Sequence, residues 1–327
     1  MQEIPLTAVE GITVGNEQDL EAATGCTVIL CEKGATGGVD VRGGAPGTRE
    51  TDLLNPLNLV EQVHAVLLTG GSAFGLDAAA GIMQFLEERH IGFNVGVTTV
   101  PIVCGAVLFD LAVGDHRIRP DKEMGYRACL HAGSAAIPDG NIGAGAGATV
   151  GKILGMGRAM KSGLGAYALQ VGSLKVGALV AVNCLGDVLD PETGERLAGP
   201  VNDSGTGVLS TEDIMAGILE AQAKPTAGGN TTLGCIVTNA RFTKAQANKI
   251  ASLAQDGIAR TMRPSHSMFD GDTIFTMATG DVDGDIHVTG ILAARVIERA
   301  IVRAVRNTTA LKGLICHADL KKVAGGV

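Results

Sequence analysis

Two short runs, KVGALVAVN (175–183) and LGCIVT (233–238), are apolar at almost every position and rich in β-branched residues. A strand with one face in water alternates polar and apolar side chains, so an uninterrupted run implies a strand covered on both faces. CTVILC (26–31), HAVLLTG (64–70) and TIFTMATG (273–280) read the same way. Three helical patterns are available to do the covering. SAFGLDAAAGIMQFLEERH, from Ser72, has a cap candidate, an apolar stripe and a charged last turn. TKAQANKIASLAQDGIARTM, from Thr243, sets Ala247, Ile250, Leu253, Ala254 and Ile258 on one face, and TGILAARVIERAIVRAVRN, from Thr289, repeats the pattern. Doubly covered strands under amphipathic helices predict α/β or layered α+β architecture rather than an all-β fold. The 47 glycines punctuate these segments instead of forming a low-complexity tract, and no internal repeat is present. The stretch from DPETGERLAGPVNDSGTGV to KPTAGGN (190–230) is the most loop-like and is expected to be exposed and cleavable.

Composition narrows the partners. A formal net charge of -8 with no basic run argues against nucleic acid or an anionic membrane surface, and 3% aromatic residues leaves little for base stacking. A small molecule is the expected partner. Seven cysteines, an odd number without CxxC spacing, fit a reducing compartment and buried thiols better than disulfides or zinc. The N-terminus lacks a basic start and apolar core, and no apolar run approaches the ~18 residues of a membrane span, so a soluble cytoplasmic chain is expected.

Several familiar motifs fail on inspection. GAGATVGKI (145–153) would be a phosphate loop only with Gly at Ala146 and Ser or Thr at Ile153. TGGSAFG (69–75) misses GxGxxG at Ser72, and Ser72 also lies one residue too early for GxSxG. DVDGDIH (281–287) has Ile286 where a calcium loop turns on Gly, so a solvated hairpin turn is expected. The seven histidines show no metal-ligand spacing.

What remains is AGGNTTLGCIVTNA (227–240), where Thr231 follows a Gly-Gly-Asn turn and opens a buried strand. Two threonines at a strand start are ordinary β-formers. A threonine can also be a nucleophile if its own α-amine takes the hydroxyl proton, which requires the bond between Asn230 and Thr231 to break. A tight turn holding the Asn230 carbonyl against the Thr231 hydroxyl would permit an N-to-O acyl shift, followed by hydrolysis of the ester. Downstream, HSMFDGDTIF carries Asp270 and Asp272 on either side of one Gly at another strand entrance. Such a pair can orient an amine or hydroxyl, or form an exposed turn.

ITVGN, DVRGGAPGTRETDLL (40–54), LTGGSAFGLDAAAGI (68–82), GNTTLGCIVTNA and FDGDTIF, in that order, resemble the self-cleaving L-aminopeptidase/D-esterase (DmpA-like) family, which includes β-aminopeptidases and nylon-oligomer hydrolases. The likeness runs over nearly the whole chain. The GNTT junction and the aspartate pair are most similar to the nylon-oligomer branch, since many aminopeptidase members have serine as nucleophile and a Ser/Glu pair at those positions. The resemblance implies an αββα four-layer sandwich made of a larger fragment, 1–230, and a smaller one, 231–327, assembled as a tetramer of processed heterodimers. It implies Thr231 as nucleophile and Asn230 as the residue before the cut. Lys152 would be an active-site lysine, Asn183 the amide that stabilises the oxyanion, and Asp270 and Asp272 the groups that hold the amine and lysine. No metal or organic cofactor is implied. Phe109, in GAVLFDL, stands where several relatives have a tyrosine near the reacting centre.

The expected function is therefore a self-processing N-terminal threonine amidohydrolase acting on short peptides or ω-amino-acid (6-aminohexanoate) oligomers. Alternatives are an aminopeptidase, β-aminopeptidase or D-esterase, an acyltransferase of the same fold, and a scaffold that has lost cleavage.

Overall fold

The computed structural model describes residues 1–221 and 229–324; KPTAG, with the first glycine of the Gly-Gly-Asn turn, lies outside them. Ten strands form one strongly bent sheet: β1 (Gln2–Ile4), β2 (Thr13–Asp19), β3 (Thr24–Val41), β4 (Thr48–Arg49), β5 (Gln62–Thr69), β6 (Val103–Val107), β7 (Leu164–Val171), β8 (Leu174–Asn183), β9 (Thr231–Arg241) and β10 (Thr273–Asp283). Their order is β1-β7-β8-β9-β10-β3-β5-β6-β4, with β2 beside β3. β9 and β10 run parallel, as do β5 and β6; the other pairs are antiparallel.

The bend lies in β3. Its first half, Thr24 to Leu30, pairs with β2 and β5, and its second half, Thr36 to Val41, pairs with β10. The register shifts between Leu30 and Ala35, where the strand passes from one layer to the other. Alternation along each strand then sorts side chains into three cores. Val176, Ala178, Val180 and Val182 of β8 face α4 (Lys244–Thr261) and α5 (Ile286–Arg306), with Ile236 and Ile274. Leu179, Ala181, Leu233, Cys235, Val237, Phe275 and Met277 face the other way, onto Ile29, Val66, Leu68, Cys104 and Ala106 of the second layer. The far side of that layer, with Val28, Leu30, Ala65 and Leu67, meets α1 (Ala78–Glu87) and α2 (Lys122–Leu130). The result is the four-layer αββα sandwich that doubly covered strands require, and each fully buried Val, Leu or Phe contributes about 1.5–3 kcal/mol.

Four local expectations need correction. Ser72 does not cap a helix: it sits at φ 53 and opens a 3-10 turn, Ser72–Asp77, before α1 begins at Ala78. The third helix starts at Ile286, three residues before Thr289, because the Asp285 carboxylate accepts the amides of His287 and Val288. DVDGDIH is accordingly a strand-to-helix junction rather than a hairpin turn. The described part of the 190–230 stretch up to residue 221 is less open than expected, since Arg196–Ala198 pairs with Asp187–Leu189, Leu197 and Ala198 are buried, and α3 (Thr211–Glu220) follows. Among the described residues no helix is long and apolar enough to cross a membrane.

Candidate active site

β9 begins at Thr231, directly after Gly229 at φ +76 and an Asn230 that bridges Asp270 across the sheet end. Gly229 is needed twice over. Its backbone is left-handed, and a Cβ there would lie 2.4 Å from the Phe109 ring. The Asn230–Thr231 bond is enclosed, with the two residues only 2% and 4% exposed. The Thr231 hydroxyl donates a very short hydrogen bond to the Asn230 carbonyl oxygen, which also accepts the Gly271 amide at 2.9 Å. The Thr231 hydroxyl and the Asn230 carbonyl are therefore in contact, with a backbone donor already on the carbonyl oxygen.

Asn183 ends β8 and pairs in register with Thr231 across the ladder. Its Oδ1 accepts the Thr149 amide at 2.9 Å and the Thr149 hydroxyl at 3.3 Å. Two donors on one side orient the side-chain amide, so Nδ2 points at the carbonyls of Phe109, at 3.0 Å, and Gly229, at 3.4 Å. Lys152 lies three residues beyond Thr149 and is buried, not a surface cation. The turn leading to it is shaped by a second buried lysine, Lys161, whose Nζ donates to the carbonyls of Gly145 at 2.9 Å and Ala148 at 3.1 Å. Lys152 Nζ donates to the carbonyls of Asn183 at 2.8 Å and Gly229 at 3.3 Å. Burial pushes its pKa down to about 7, against the opposing pull of Asp270 and Asp110. A neutral amine has two N–H groups and one lone pair. With both donors directed at carbonyls, the lone pair remains to take a proton.

The two aspartates stand at the mouth of β10, buried to within 1%. The loop after β3 braces them: the amides of Arg42 and Gly43 donate to the Asp272 carbonyl at 2.9 and 3.2 Å, and that of Ala45 to the Asp270 carbonyl at 2.8 Å. The Asp270 carboxylate accepts the Ser267 amide at 2.9 Å and its hydroxyl, and the Leu185 amide at 3.4 Å. Burial and then the neighbouring Asp272 charge raise its pKa, with the Ser267 bonds acting the other way. Asp272 Oδ1 accepts the Thr232 amide at 2.7 Å, and Oδ2 accepts His266. Between them, Gly271 has no room for a side chain, because a Cβ would lie 2.6 Å from the Thr231 hydroxyl and 2.8 Å from the Ala45 carbonyl.

All the residues singled out in the sequence thus meet within one neighbourhood. Lys152 and Asn183 reach the Gly229 carbonyl, one peptide before the junction; Gly271 reaches the Asn230 carbonyl, and the aspartates brace the turn and strand start. Lys152 bonds to carbonyls and not to either carboxylate. Gly271, Thr149, Ser267 and His266 went unnoticed in the sequence. The lone Gly between two Asp was the available signal for the first, whereas Thr149 is recognisable only once the chain is folded. Phe109, Ala112, Val113, Thr149, Lys152, Gly155 and Met156 line an adjoining cavity of about 80 Å³. No cluster of three or more His, Cys, Asp or Glu able to hold a metal occurs among the described residues.

The family model of Peptidase family S58 matches residues 5–318. An uncharacterized aminopeptidase of Mycobacterium leprae is 40% identical, over 96% of this chain and 93% of its own length. A 6-aminohexanoate-oligomer endohydrolase of Kocuria is 33% identical, over 84% of this chain and 74% of its own. Among solved structures, the L-aminopeptidase D-Ala-esterase/amidase of Ochrobactrum anthropi, a variant of the Ntn hydrolase fold, superposes with a TM-score of 0.74 at 16% identity, covering 98% of this chain and 92% of that one.

Proposed function

Since the chain belongs to Peptidase family S58 and is a peptide-bond hydrolase of the Ntn type, we propose that it cuts itself between Asn230 and Thr231 and then uses Thr231 as an N-terminal nucleophile. The observation that carries this reading is the Thr231 hydroxyl lying on the Asn230 carbonyl beneath the Gly271 amide. In the first step Thr231 Oγ1 attacks the Asn230 carbonyl carbon and passes its proton to Lys152. Gly271 N–H stabilises the oxyanion. The carbon–nitrogen bond breaks as the Thr231 nitrogen takes up the proton, leaving a free Thr231 amine and an ester that water hydrolyses to an Asn230 carboxylate and the restored Thr231 hydroxyl.

In the matured enzyme that amine, or Lys152, receives the hydroxyl proton as Thr231 attacks a substrate amide, and returns it to the departing amine. Departure of residues 229 and 230 frees Asn183 Nδ2 to donate to the substrate's oxyanion beside Gly271. Water then releases the acyl group. Asp270 and Asp272 hold the turn that carries Gly271, and Asp270 lies within electrostatic reach of Lys152.

The segment before the cut marks where a substrate's acyl portion goes, since Gly229 packs on Phe109 beside the 80 Å³ cavity. Among the described residues no carboxylate lines that cavity, so nothing there pairs with an α-ammonium. This favours acyl groups whose amine is distant or neutral, such as ω-amino-acid oligomers, over simple aminoacyl amides. The aminopeptidase relatives keep the second reading in play. A panel of linear 6-aminohexanoate oligomers and aminoacyl amides tests both: oligomers should turn over faster, and Thr231→Ala should be inactive on every substrate. Turnover confined to aminoacyl amides would transfer the protein to the aminopeptidase reading, and an active Thr231→Ala would remove the nucleophile. A homo-oligomer of processed heterodimers in the cytoplasm belongs to the same proposal.

A further inference from the structure

His266 occupies a backbone conformation that its side chain does not explain. It sits at φ 57, in the left-handed region that costs most non-glycine residues energy, four residues before Asp270. The conformation brings two donors onto one carboxylate oxygen: the His266 amide lies 3.1 Å and Nδ1 2.9 Å from Asp272 Oδ2. A carboxylate only accepts, so Nδ1 carries the proton. The other oxygen of the same carboxylate holds the Thr232 amide at 2.7 Å, next to the nucleophile. Asp272 is 1% exposed, so these groups replace the water that would otherwise solvate it. Among the described residues His266 Nε2 is buried with no hydrogen-bond partner, so the bond at Nδ1 is the ring's polar contact.

The geometry points to His266 as a positioning residue: its Nδ1–H fixes the rotamer of Asp272, which clamps the Thr232 amide and so sets where the Thr231 hydroxyl meets the carbonyl it attacks. This rests on the proposed self-cleavage and adds a component to it. Loss of the imidazole donor leaves Asp272 Oδ2 with only the backbone amide of residue 266, so the carboxylate that clamps the Thr232 amide loosens while the sheet around it persists.

The test uses substitutions that tolerate the left-handed backbone, so that strain does not confound the result. His266→Asn places an amide N–H close to where Nδ1 stands, whereas His266→Gly removes the donor. In full-length chains purified uncut, or followed from translation, the Gly variant should self-cleave at least tenfold more slowly than the parent and the Asn variant within about threefold of it. In matured protein, the Gly variant should lose kcat with KM within twofold, and Asn should restore most of it. If Gly does not accumulate as folded chain, His266→Asp replaces it, having the shape of Asn and no donor. Cleavage of the Gly or Asp variant at the parent's rate, or an Asn variant as slow as Gly, overturns the assignment while leaving self-cleavage intact. A parent chain that never cleaves overturns both.

Discussion

A hydroxyl is a poor nucleophile unless a base takes its proton, so the reactivity proposed for Thr231 has to come from neighbours. Lys152 is the neighbour whose protonation state is adjustable near neutrality. Its ordinary value of 10.5 falls to about 7 through burial, so the proton acceptor is the minor form below pH 7 and the major form above it. The self-cleavage rate should therefore rise about tenfold per pH unit below 7 and level off above it, measured as fragment appearance against pH. Lys152→Arg, which stays charged, should lose the rise and slow cleavage by about 10²–10⁴. A profile that is flat from pH 5 to 9 in the parent would remove Lys152 from the proton path. Gly271 offers a second check, because the added Cβ of Gly271→Ala would lie 2.6 Å from the Thr231 hydroxyl. That variant should cleave about 100-fold more slowly on a denaturing-gel time course, as expected for a displacement of order 1 Å. Thr231 and Asn230 stood out in the sequence because a turn runs straight into a buried strand there, and the aspartate pair because it flanks a single Gly at a second strand entrance. Lys152 was legible only through resemblance, since a lysine after glycines reads as surface until the fold buries it.

At the scale of elements, the doubly apolar runs located β5, β8, β9 and β10 and the first half of β3, because burial on both faces writes itself into every position. The second half of β3, EKGATGGVDV, is rich in glycine and charge, and it becomes strand through its pairing with β10. Local propensity does not report such long-range pairing. Helix starts divided by mechanism. Thr243 has a full capping box with Gln246, and α4 begins where the sequence says it should. Ser72 has the right residue type, yet the tight entry from β5 puts its backbone where no cap forms. Thr243→Ala should cost about 1 kcal/mol in denaturant unfolding. The same variant should leave the self-cleavage rate unchanged, since Thr243 lies at the opposite end of α4 from Met262, the end that meets Thr232 beside the junction. A slowed cleavage would show that helix docking and site geometry are coupled.

Taken as a whole molecule, the sandwich explains how a chain could be cut between residues 230 and 231 and stay assembled. Residues 231–327 supply β9, β10, α4 and α5, while 1–230 supply the strands on both sides of them. The β8–β9 and β3–β10 ladders and two shared cores cross the boundary, so breaking one peptide bond removes none of the packing. The buried junction makes a chance cut by another protease at that bond improbable, and the enclosed hydroxyl makes an internal one direct. The measurement that bears on this most directly is intact mass with N-terminal sequencing of the purified protein, beside Thr231→Ala prepared identically. The account predicts two fragments for the parent, beginning at Met1 and Thr231, that co-elute under native conditions, and one unbroken chain for the variant. An active parent that remains a single chain, or a Thr231→Ala chain cut at the same bond, would contradict it.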